Sequence, residues 1–526
     1  MIDSQTISAH NRRAHAPGHW MWSLAAALIA LAGIGLQWFG LGKLSLDFDE
    51  GYTAWLAHQP AAEIIRLVQS DTAPPLYYLT LHFWMRIFGG DEWGLRSLSA
   101  ASVSASFVFV WILARQILRK PWAVAGALAI FSVSHMQVIY AQDARAYALA
   151  SLFAIASLFG VFQHLRSRGW GWLPWIVAAL AGQVYVHNMM LAYLPALGLA
   201  WLMFPSSHSV MRRIRDGGIV LSALVIIYLP WAFIISQQVQ LVHAGFWVPV
   251  PTVDWIIMVF GLLAGIDCVW AYGAILEKLH VHVSQSFFTA NVPRVAVTLL
   301  CALIVLAVLL PARRKRREAG ALAVYALFPP IIVAIYSCLG TPIFMDKTFL
   351  ASASVFPILM LIPAAWARPR NGRPICLVLA GCLFMMSSLT TVAYQATRYK
   401  ENWRGAGQYL AQLPPTRRII LCVSEDGQLP LDFYYHHRWN ETETGAPAGF
   451  FDLNPPRAMR HIERYDDALL PLASAMKYPE IVLVEGKEGI ADPNQLVLKL
   501  LSWSCTKVST RKLAYVTIYR FIPQTR

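Results

Sequence analysis

Long hydrophobic runs recur along the 526-residue chain and are separated by short polar stretches. A membrane-spanning helix needs about 20 predominantly apolar residues, and about eleven runs come close to that length. They lie at 20–41, 95–118, 122–140, 147–164, 170–185, 190–204, 219–235, 295–310, 321–339, 350–366 and 375–393. Two shorter apolar runs, 76–88 and 255–265, are predicted to form helices along the membrane interface on the outer side.

Basic residues cluster at alternate ends of these runs and set the predicted orientation. The stretches "RRIRD", "ARRKRRE" and "ARPRNGRP" are expected on the cytoplasmic side, and Arg12 and Arg13 place the N-terminus there as well. The composition is 57% hydrophobic and 14% charged, which excludes an ordinary soluble enzyme. The net charge of +14 comes largely from these clusters, so it does not indicate nucleic-acid binding.

After about residue 397 the pattern changes to that of a soluble domain. The stretches "RRIILCV", "PEIVLVEG" and "TRKLAYVTIYRF" are typical of strands, and "RGAGQYLAQL" is typical of a helix. The predicted fold is therefore mainly α, with a polytopic membrane domain at 1–397 and a small outer-side α/β domain at 398–526. Cys422 and Cys505 are the two cysteines of the second region, and either a disulfide or two thiols fits the sequence.

Ionisable residues stand at the outer mouths of the predicted spans. Such residues are costly at membrane depth and are functional candidates for that reason. In chain order the candidates are Asp49 and Glu50, Asp143 and Arg145, His187 and Asn188, and Asp346 and Lys347. Asp47, which precedes the first pair, is interpreted as a solvated flank. Four separate stretches thus place charge on one side of the membrane, which predicts a cavity near the outer surface.

The same stretches carry a family resemblance. The ordered segments "DFDEGYTAWLA", "DTAPPLYYLTLHFWMRIFGGDEWGLRSLSA" and "YAQDARAYAL" resemble the N-terminal half of GT-C glycosyltransferases. The relatives are bacterial members of the protein O-mannosyltransferase group and lipid A aminoarabinose transferases. The resemblance covers 46–188 well, and it extends more loosely through "YVHNMM", the loop before Leu350 and "NWRGAGQYL".

The resemblance implies a transferase that uses a polyprenyl-phosphate-linked sugar at the outer face of the bacterial inner membrane. It implies that Asp49 is the base or orients the acceptor, and that Asp143 belongs to the site. The chain departs from the family pattern at Ala73, where His is common, at Asp143, where Glu is frequent, and at Lys347, where Arg is common. These departures affect the expected contacts with the donor phosphate.

The residue types suit this chemistry independently of the resemblance. An attacking hydroxyl must lose a proton, which a carboxylate can accept, and we assign that role to Asp49 with Glu50 orienting it. A lipid phosphate leaving group needs cationic or hydrogen-bonding partners, and Arg145, His187 and Lys347 are the candidates. The acceptor can be a lipid, a glycan or a protein. The carboxylates could also hold a divalent cation, although no metal-ligand spacing indicates one.

Two other functions fit a chain with many spans and buried charge. A transporter or flippase for lipid-linked sugars is the main alternative, and a lipid-binding subunit without activity is another. The acidic residues are predicted on one side rather than at mid-membrane, and no inverted repeat is visible in the sequence. Both observations favour the transferase over the transporter.

Overall fold

The computed structural model describes residues 19–524 except 70, 168, 246–247, 267–284, 310–312, 367–372, 399, 423–424, 436–449, 453–471, 473–474 and 487–493. The orientation signal at Arg12 and Arg13 and most of "ARPRNGRP" lie outside the described residues. The chain divides into two compact units. The helical unit comprises Met1–Phe39, Ala62–Leu81 and Arg96–Arg398, and the mixed unit comprises Gly40–Ala61, His82–Leu95 and Tyr399–Arg526.

Helices form almost all of the described chain before residue 398. In chain order they are α1 (His19–Trp38), α2 (Phe48–His58), α3 (Ala61–Val68), α4 (Leu76–Phe88), α5 (Glu92–Leu118), α6 (Pro121–Ser132), α7 (His135–Ala141), α8 (Tyr147–Arg166), α9 (Trp172–Val186), α10 (Tyr193–Met203), α11 (Val210–Gly245), α12 (Val253–Leu263), α13 (Gln285–Leu309), α14 (Arg313–Leu339), α15 (Leu350–Trp366) and α16 (Arg373–Thr397). Short 3-10 helices at Asn188–Ala192 and Asp346–Phe349 precede α10 and α15.

Length and composition identify the helices that could cross a membrane. Among the described residues seven helices qualify, namely α1, α5, α8, α11, α14, α15 and α16, and the pair α6–α7, bent by 53°, could form an eighth. The remaining predicted crossings coincide with shorter apolar helices at α9, α10 and Pro293–Leu306. The mainly helical, multi-span character is therefore confirmed, whereas the count of eleven and the interfacial placement of α4 and α12 stay predictions.

Helix α15 forms the centre of the helical unit. It is apolar on every face, and every residue from Leu350 to Ala365 is buried, as expected for a helix surrounded by others. It packs against α6, α8, α13, α14 and α16. Its few polar side chains are paired within the core: Ser352 Oγ lies 2.8 Å from Tyr193 Oη, and Gln137 Nε2 donates to Ser354 Oγ at 3.0 Å. This packing fixes the position at which the 3-10 helix bearing Lys347 enters the core.

The mixed unit contains α17 (Trp403–Ala411), α18 (Glu425–Tyr435), α19 (Leu496–Ser504) and a five-stranded sheet. The strands are β1 (Arg418–Cys422), β2 (Phe450–Asp452), β3 (Glu480–Gly486), β4 (Cys505–Leu513) and β5 (Val516–Pro523), in the spatial order β2-β1-β3-β5-β4. Strand β1 runs parallel to β2 and β3, with Ile420 opposite Val482, whereas β5 is antiparallel to β3 and β4.

The sequence pattern predicts this sheet well because its central strands are continuous apolar runs. Strands β1 and β3 are buried along their whole length, as is usual for parallel strands covered on both faces. Ile419, Leu421, Ile481, Leu483 and Phe521 form the centre of the core. Both thiols of the region are buried, and no disulfide joins Cys422 to Cys505, whose Sγ lies 3.6 Å from Met476 Sδ. The alternative of two thiols is therefore the one that the structure contains.

We expect labelling of introduced cysteines to establish the orientation of the chain. Lys43 and Gly340 are exposed and follow spans predicted to exit on the outer side, whereas Lys120 is exposed in a basic connection predicted to be cytoplasmic. Cysteines at 43 and 340 should react with a membrane-impermeant thiol reagent in intact cells. A cysteine at 120, the matched control, should react only after permeabilisation. The opposite pattern would reverse the predicted orientation.

Candidate functional site

Three breaks between helices position the predicted phosphate-binding residues of the helical unit. Arg145 lies in the short turn that joins α7 to α8. His187 ends α9 and caps the 3-10 helix that follows it, in an extended conformation with φ −155° and ψ 126°. Lys347 lies in the 3-10 helix that leads into α15. We call these three residues the Arg–His–Lys cluster.

The ring of Tyr147, the first residue of α8, lies at the centre of this cluster. Lys347 Nζ is 5.4 Å from the Tyr147 ring centroid, which is a cation–π distance. The His187 and Tyr147 ring centroids are also 5.4 Å apart. Arg145 and Lys347 both lie close enough to His187 to disfavour its protonation. The structure thus brings together all three residues that the sequence assigned to the donor phosphate.

His187 is neutral in this setting. Burial, assisted by the charges of Arg145 and Lys347, lowers the pKa of His187 from 6.5 to about 3. Its Nδ1 accepts the backbone N–H of Met189 at 3.2 Å, so the single proton of the neutral ring resides on Nε2. His187 can therefore donate one uncharged hydrogen bond to an anion. The positive charge of the cluster comes from Arg145 and Lys347, and the role of all three residues at a donor phosphate stays a prediction.

Two acidic residues stand beside the cluster in the chain. Asp143 is partly exposed, and its carbonyl oxygen accepts the N–H of Arg145 at 2.8 Å. Asp346 precedes Lys347, and its Oδ2 accepts the hydroxyl of Tyr140 at 2.9 Å. Asp346 is thus held by a specific contact, whereas the catalytic role of Asp143 stays a prediction.

Asn188 holds a loop in place. Its Nδ2 donates to the carbonyl of Thr72 at 2.9 Å and to Gln238 Oε1 at 3.0 Å. Its Oδ1 accepts the hydroxyl of Tyr228 at 3.4 Å. These contacts tie the "DTAPP" segment to the turn that contains His187. Asn188 therefore has a positioning role, which the sequence could not separate from a binding role.

The acidic motif "LDFDEGY" forms the start of α2 in the mixed unit. Asp47 is the residue that caps this helix: its Oδ1 accepts the Glu50 N–H at 3.0 Å, and Glu50 Oε2 accepts the Asp47 N–H at 3.3 Å. This reciprocal pair is a capping box, which satisfies two backbone donors at a helix N-terminus. The interpretation of Asp47 as a solvated flank is therefore wrong.

A lysine from the C-terminal part of the chain completes this arrangement. Lys400 Nζ lies 2.9 Å from Asp47 Oδ2 and 2.8 Å from Glu50 Oε2. Glu50 is fully buried, and a buried carboxylate requires such a partner. Asp49 is partly exposed and takes no part in the capping box. Its side chain leaves the helix about 100° around the axis from that of Glu50, as the 3.6-residue turn dictates.

Gly51 allows α2 to pack closely against α18. A Cβ atom at this position would lie 2.9 Å from both the Cδ and the backbone N of Pro430. Such a distance is shorter than a normal contact and involves backbone, so the helices would have to move apart. The glycine in "DEGY" is therefore explained by the close approach of two helices that hold the acidic residues in place.

A second polar network in the mixed unit was not predicted from the sequence. Glu92 Oε1 accepts Arg404 Nε at 3.0 Å and the Tyr434 hydroxyl at 2.6 Å. Arg404 also donates to the carbonyl of Gly42 at 2.9 Å, and the Tyr434 oxygen accepts the N–H of Leu46 at 2.8 Å. Glu92 belongs to "EWGLR" and Arg404 to "NWRGAGQYL". The network therefore ties "EWGLR" and "NWRGAGQYL" to each other and to the backbone that leads into α2.

This network borders a cavity of about 440 Å³ within the mixed unit. The cavity is lined by His58, Gly90, Asp91, Glu92, Arg404, Gln408, Phe433 and Tyr434. Its volume lies in the range of small-molecule sites.

Asp432, in α18, is expected to make stability pH-dependent. Burial raises its pKa from 3.8 to about 6, so between these values the folded state holds more protons than the unfolded state. Stability must then fall as the pH rises from about 4 to about 6. After allowance for partial exposure we expect Asp432→Asn to stabilise the protein by about 1–2 kcal/mol at pH 8. Thermal unfolding at pH 8 and pH 4 tests this, because the gain should vanish at pH 4.

The matched segment of the chain contains most of the Arg–His–Lys cluster. Residues 72–232 match the family described as dolichyl-phosphate-mannose-protein mannosyltransferase. The chain is 27% identical over 165 residues to undecaprenyl phosphate-alpha-4-amino-4-deoxy-L-arabinose arabinosyl transferase 1 of Pseudomonas fluorescens. That match spans 30% of this chain and 30% of the relative's length. Asp49, Glu50 and Lys347 lie outside the segment that matches the family.

Solved structures show a fold shared over nearly the whole chain. ArnT from Cupriavidus metallidurans in the apo state is 12% identical with a TM-score of 0.56, covering 95% of this chain and 97% of that one. The same protein bound to undecaprenyl phosphate gives a TM-score of 0.52, covering 96% and 98%. The Archaeoglobus fulgidus oligosaccharyltransferase is 10% identical with a TM-score of 0.53, covering 94% and 72%. Together with the family match over residues 72–232 and the 27% identical relative, this shared fold confirms the predicted resemblance to GT-C superfamily glycosyltransferases.

Proposed function

We propose that this protein is a membrane glycosyltransferase that transfers a sugar from a polyprenyl-phosphate donor to a hydroxyl acceptor. The observation that carries the proposal is the meeting of Arg145 and Lys347 at neutral His187 and Tyr147, in a chain that matches polyprenyl-phosphate-dependent transferases. The acceptor is a lipid, a glycan or a protein at the outer face of the bacterial inner membrane. No nucleotide sugar is available there, so a donor delivered in the membrane suits this site.

The Arg–His–Lys cluster suits the leaving group of this reaction. A polyprenyl-phosphate sugar is a phosphodiester with one negative charge, and cleavage of its bond to the anomeric carbon leaves a phosphate monoester with about two. Fixed cations at this position stabilise the transition state more than the ground state because the charge grows along the reaction. Arg145 and Lys347 supply that charge, and His187 adds a hydrogen bond from Nε2.

The acidic residues suit the other half of the reaction. The acceptor oxygen attacks the anomeric carbon, the bond from that carbon to the phosphate oxygen breaks, and the acceptor proton moves to a carboxylate. We assign that carboxylate to Asp49, with Asp143 as the second acidic residue of the site. Glu50, paired with Lys400, holds the first turn of α2 on which Asp49 stands. A single displacement of this kind inverts the anomeric configuration.

The remaining assignments follow from this function. A catalytic membrane domain at 1–397 and a periplasmic domain at 398–526 are proposed, and a divalent cation could assist the phosphate. A transporter would bind the same lipid-linked sugar but would not break its bond to the phosphate. The relatives reported above are transferases, which favours the enzyme.

Release of free polyprenyl phosphate tests the proposal without knowledge of the sugar. The purified full chain is reconstituted in liposomes with the total polyprenyl-phosphate-linked sugars of its host, with or without a host envelope extract as the acceptor source. Mass spectrometry should detect polyprenyl phosphate that appears only when both the protein and the extract are present. A transporter or an inactive lipid-binding subunit would release none.

A further inference from the structure

Two histidines and one aspartate form a buried cluster in the helical unit, outside the Arg–His–Lys cluster. His164 lies in the last turn of α8, His208 in the connection between α10 and α11, and Asp216 in α11. The exposed fractions of these residues are 0%, 8% and 0%. One ring nitrogen of each histidine and one carboxylate oxygen of Asp216 lie within 4.8 Å of one another.

The hydrogen bonds of the two rings fix their tautomers. His164 Nε2 lies 3.1 Å from Asp216 Oδ2, and His208 Nε2 lies 2.6 Å from the carbonyl oxygen of Ser167. Both oxygens are acceptors, so each Nε2 carries a proton and each Nδ1 presents a lone pair in the neutral ring. Both Nδ1 atoms are buried, and neither has a hydrogen-bond partner in the part of the chain that the structure describes.

Asp216 is occupied by other donors. Arg215 Nη2 and Nε lie 2.9 Å and 3.0 Å from its Oδ1, and Arg212 Nε lies 3.4 Å from its Oδ2. This carboxylate therefore orients the His164 ring rather than serving as a ligand. An acceptor that fixes the N–H of a ligating histidine is the usual outer partner in metal sites.

Packing alone does not account for the two lone pairs. A buried acceptor without a partner destabilises the folded state, and here two occur in rings whose centroids are 5.1 Å apart. We propose that His164 and His208 bind a divalent transition-metal ion through their Nδ1 atoms, with Asp216 and the Ser167 carbonyl as orienting groups. Imidazole nitrogen selects Zn²⁺, Co²⁺ or Ni²⁺ over Mg²⁺ and Ca²⁺.

The ion would join three elements at one end of the helical unit. The ligands come from the end of α8 and from the connection before α11, and the orienting carboxylate comes from α11 itself. The ion is therefore structural, and its binding stabilises the folded state by linkage. The two arginines beside Asp216 place positive charge near the site, which weakens affinity but leaves the neutral imidazole ligands available.

Metal binding by the full chain, purified without a histidine tag and stripped with a chelator, tests the site. One equivalent of Co²⁺ should bind per chain, and the bound ion should give visible d–d absorption. Zn²⁺ should displace the Co²⁺ and raise the unfolding temperature of the protein. His208→Ala should lose at least ~100-fold in Co²⁺ affinity, and Asp216→Asn ~10–100-fold. His82→Ala, a histidine of the mixed unit, is the matched control and should bind Co²⁺ like the wild type.

Two results would overturn the proposal. One is a wild-type protein that shows neither the Co²⁺ spectrum nor a Zn²⁺-dependent rise in unfolding temperature. This result can be interpreted without any variant. The other is His208→Ala or Asp216→Asn protein that binds Co²⁺ as tightly as the wild type. Either outcome would mean that the two Nδ1 atoms do not hold a metal ion.

Discussion

Asp49→Asn is expected to slow sugar transfer by at least ~100-fold while leaving donor binding nearly unchanged. The amide keeps the size of the side chain but cannot accept the acceptor's proton, and loss of a general base typically costs 10²–10⁴ in rate. Asp49 stands in the first turn of α2, whose cap is supplied by Asp47 and Glu50, so the helix should form normally. The measurement is single-turnover release of polyprenyl phosphate together with equilibrium binding of the donor.

Two aspartates serve as controls for this variant. Asp254 is exposed and pairs with Arg294 at 2.9 Å, so Asp254→Asn should leave both turnover and donor binding unchanged. Asp47→Asn should still cap α2, because Asn is an equally good cap, but it loses charge toward Lys400. We expect it to lower stability by about 1 kcal/mol without slowing turnover of the folded protein. Wild-type turnover by Asp49→Asn would refute the base assignment.

Lys347→Gln and Arg145→Gln are each expected to weaken donor binding by ~10–100-fold. Each variant removes a charge-assisted contact with phosphate, which is worth about 1.5–3 kcal/mol. Because the leaving group gains charge as it departs, the rate constant for transfer should fall as well. His187→Asn should weaken binding much less, since it removes an uncharged donor from a group that carries no positive charge near pH 7.

Donor affinity measured from pH 5.5 to pH 8 separates these contributions. The pKa of His187 is lowered to about 3, so the histidine gains charge only well below this range. The wild type and His187→Asn should therefore show the same dependence of donor affinity on pH, with no additional step near pH 6.5 in the wild type. Arg294→Ala, which removes an exposed arginine elsewhere in the helical unit, is the control for net charge. If Lys347→Gln and Arg145→Gln bind the donor as tightly as this control does, the Arg–His–Lys cluster is not the phosphate site.

The sequence predicted the elements of the fold where one strong pattern acts alone. Runs of about 20 apolar residues became the long helices α5, α8 and α15, because only a helix satisfies its own backbone in an apolar setting. Strands β1 and β3 were predicted for a different reason: short apolar runs bounded by polar residues are typical of buried strands. Strand β2 has three residues, which is too few for any periodicity to be visible.

The candidate site was predictable only in part. Arg145, His187 and Lys347 could be grouped because each lies at a break between helices on the same predicted side. The pairing of Glu92 with Arg404 joins residues 312 positions apart, and nothing in either local pattern names the other. Asp47 was misread because a helix cap and a solvated flank have the same local sequence until the contact with Glu50 is seen.

The fate of the lipid-linked sugar in cells tests the central claim most directly. Envelopes of a strain that lacks the gene, and of the same strain complemented with wild-type or Asp49→Asn protein, would be compared by mass spectrometry of glycolipids, glycans, glycoproteins and polyprenyl-phosphate sugars. We predict that one sugar modification disappears in the deletion and Asp49→Asn strains while its polyprenyl-phosphate donor accumulates on the outer leaflet. Accumulation of that donor on the inner leaflet, or identical envelopes in all strains, would contradict a glycosyltransferase.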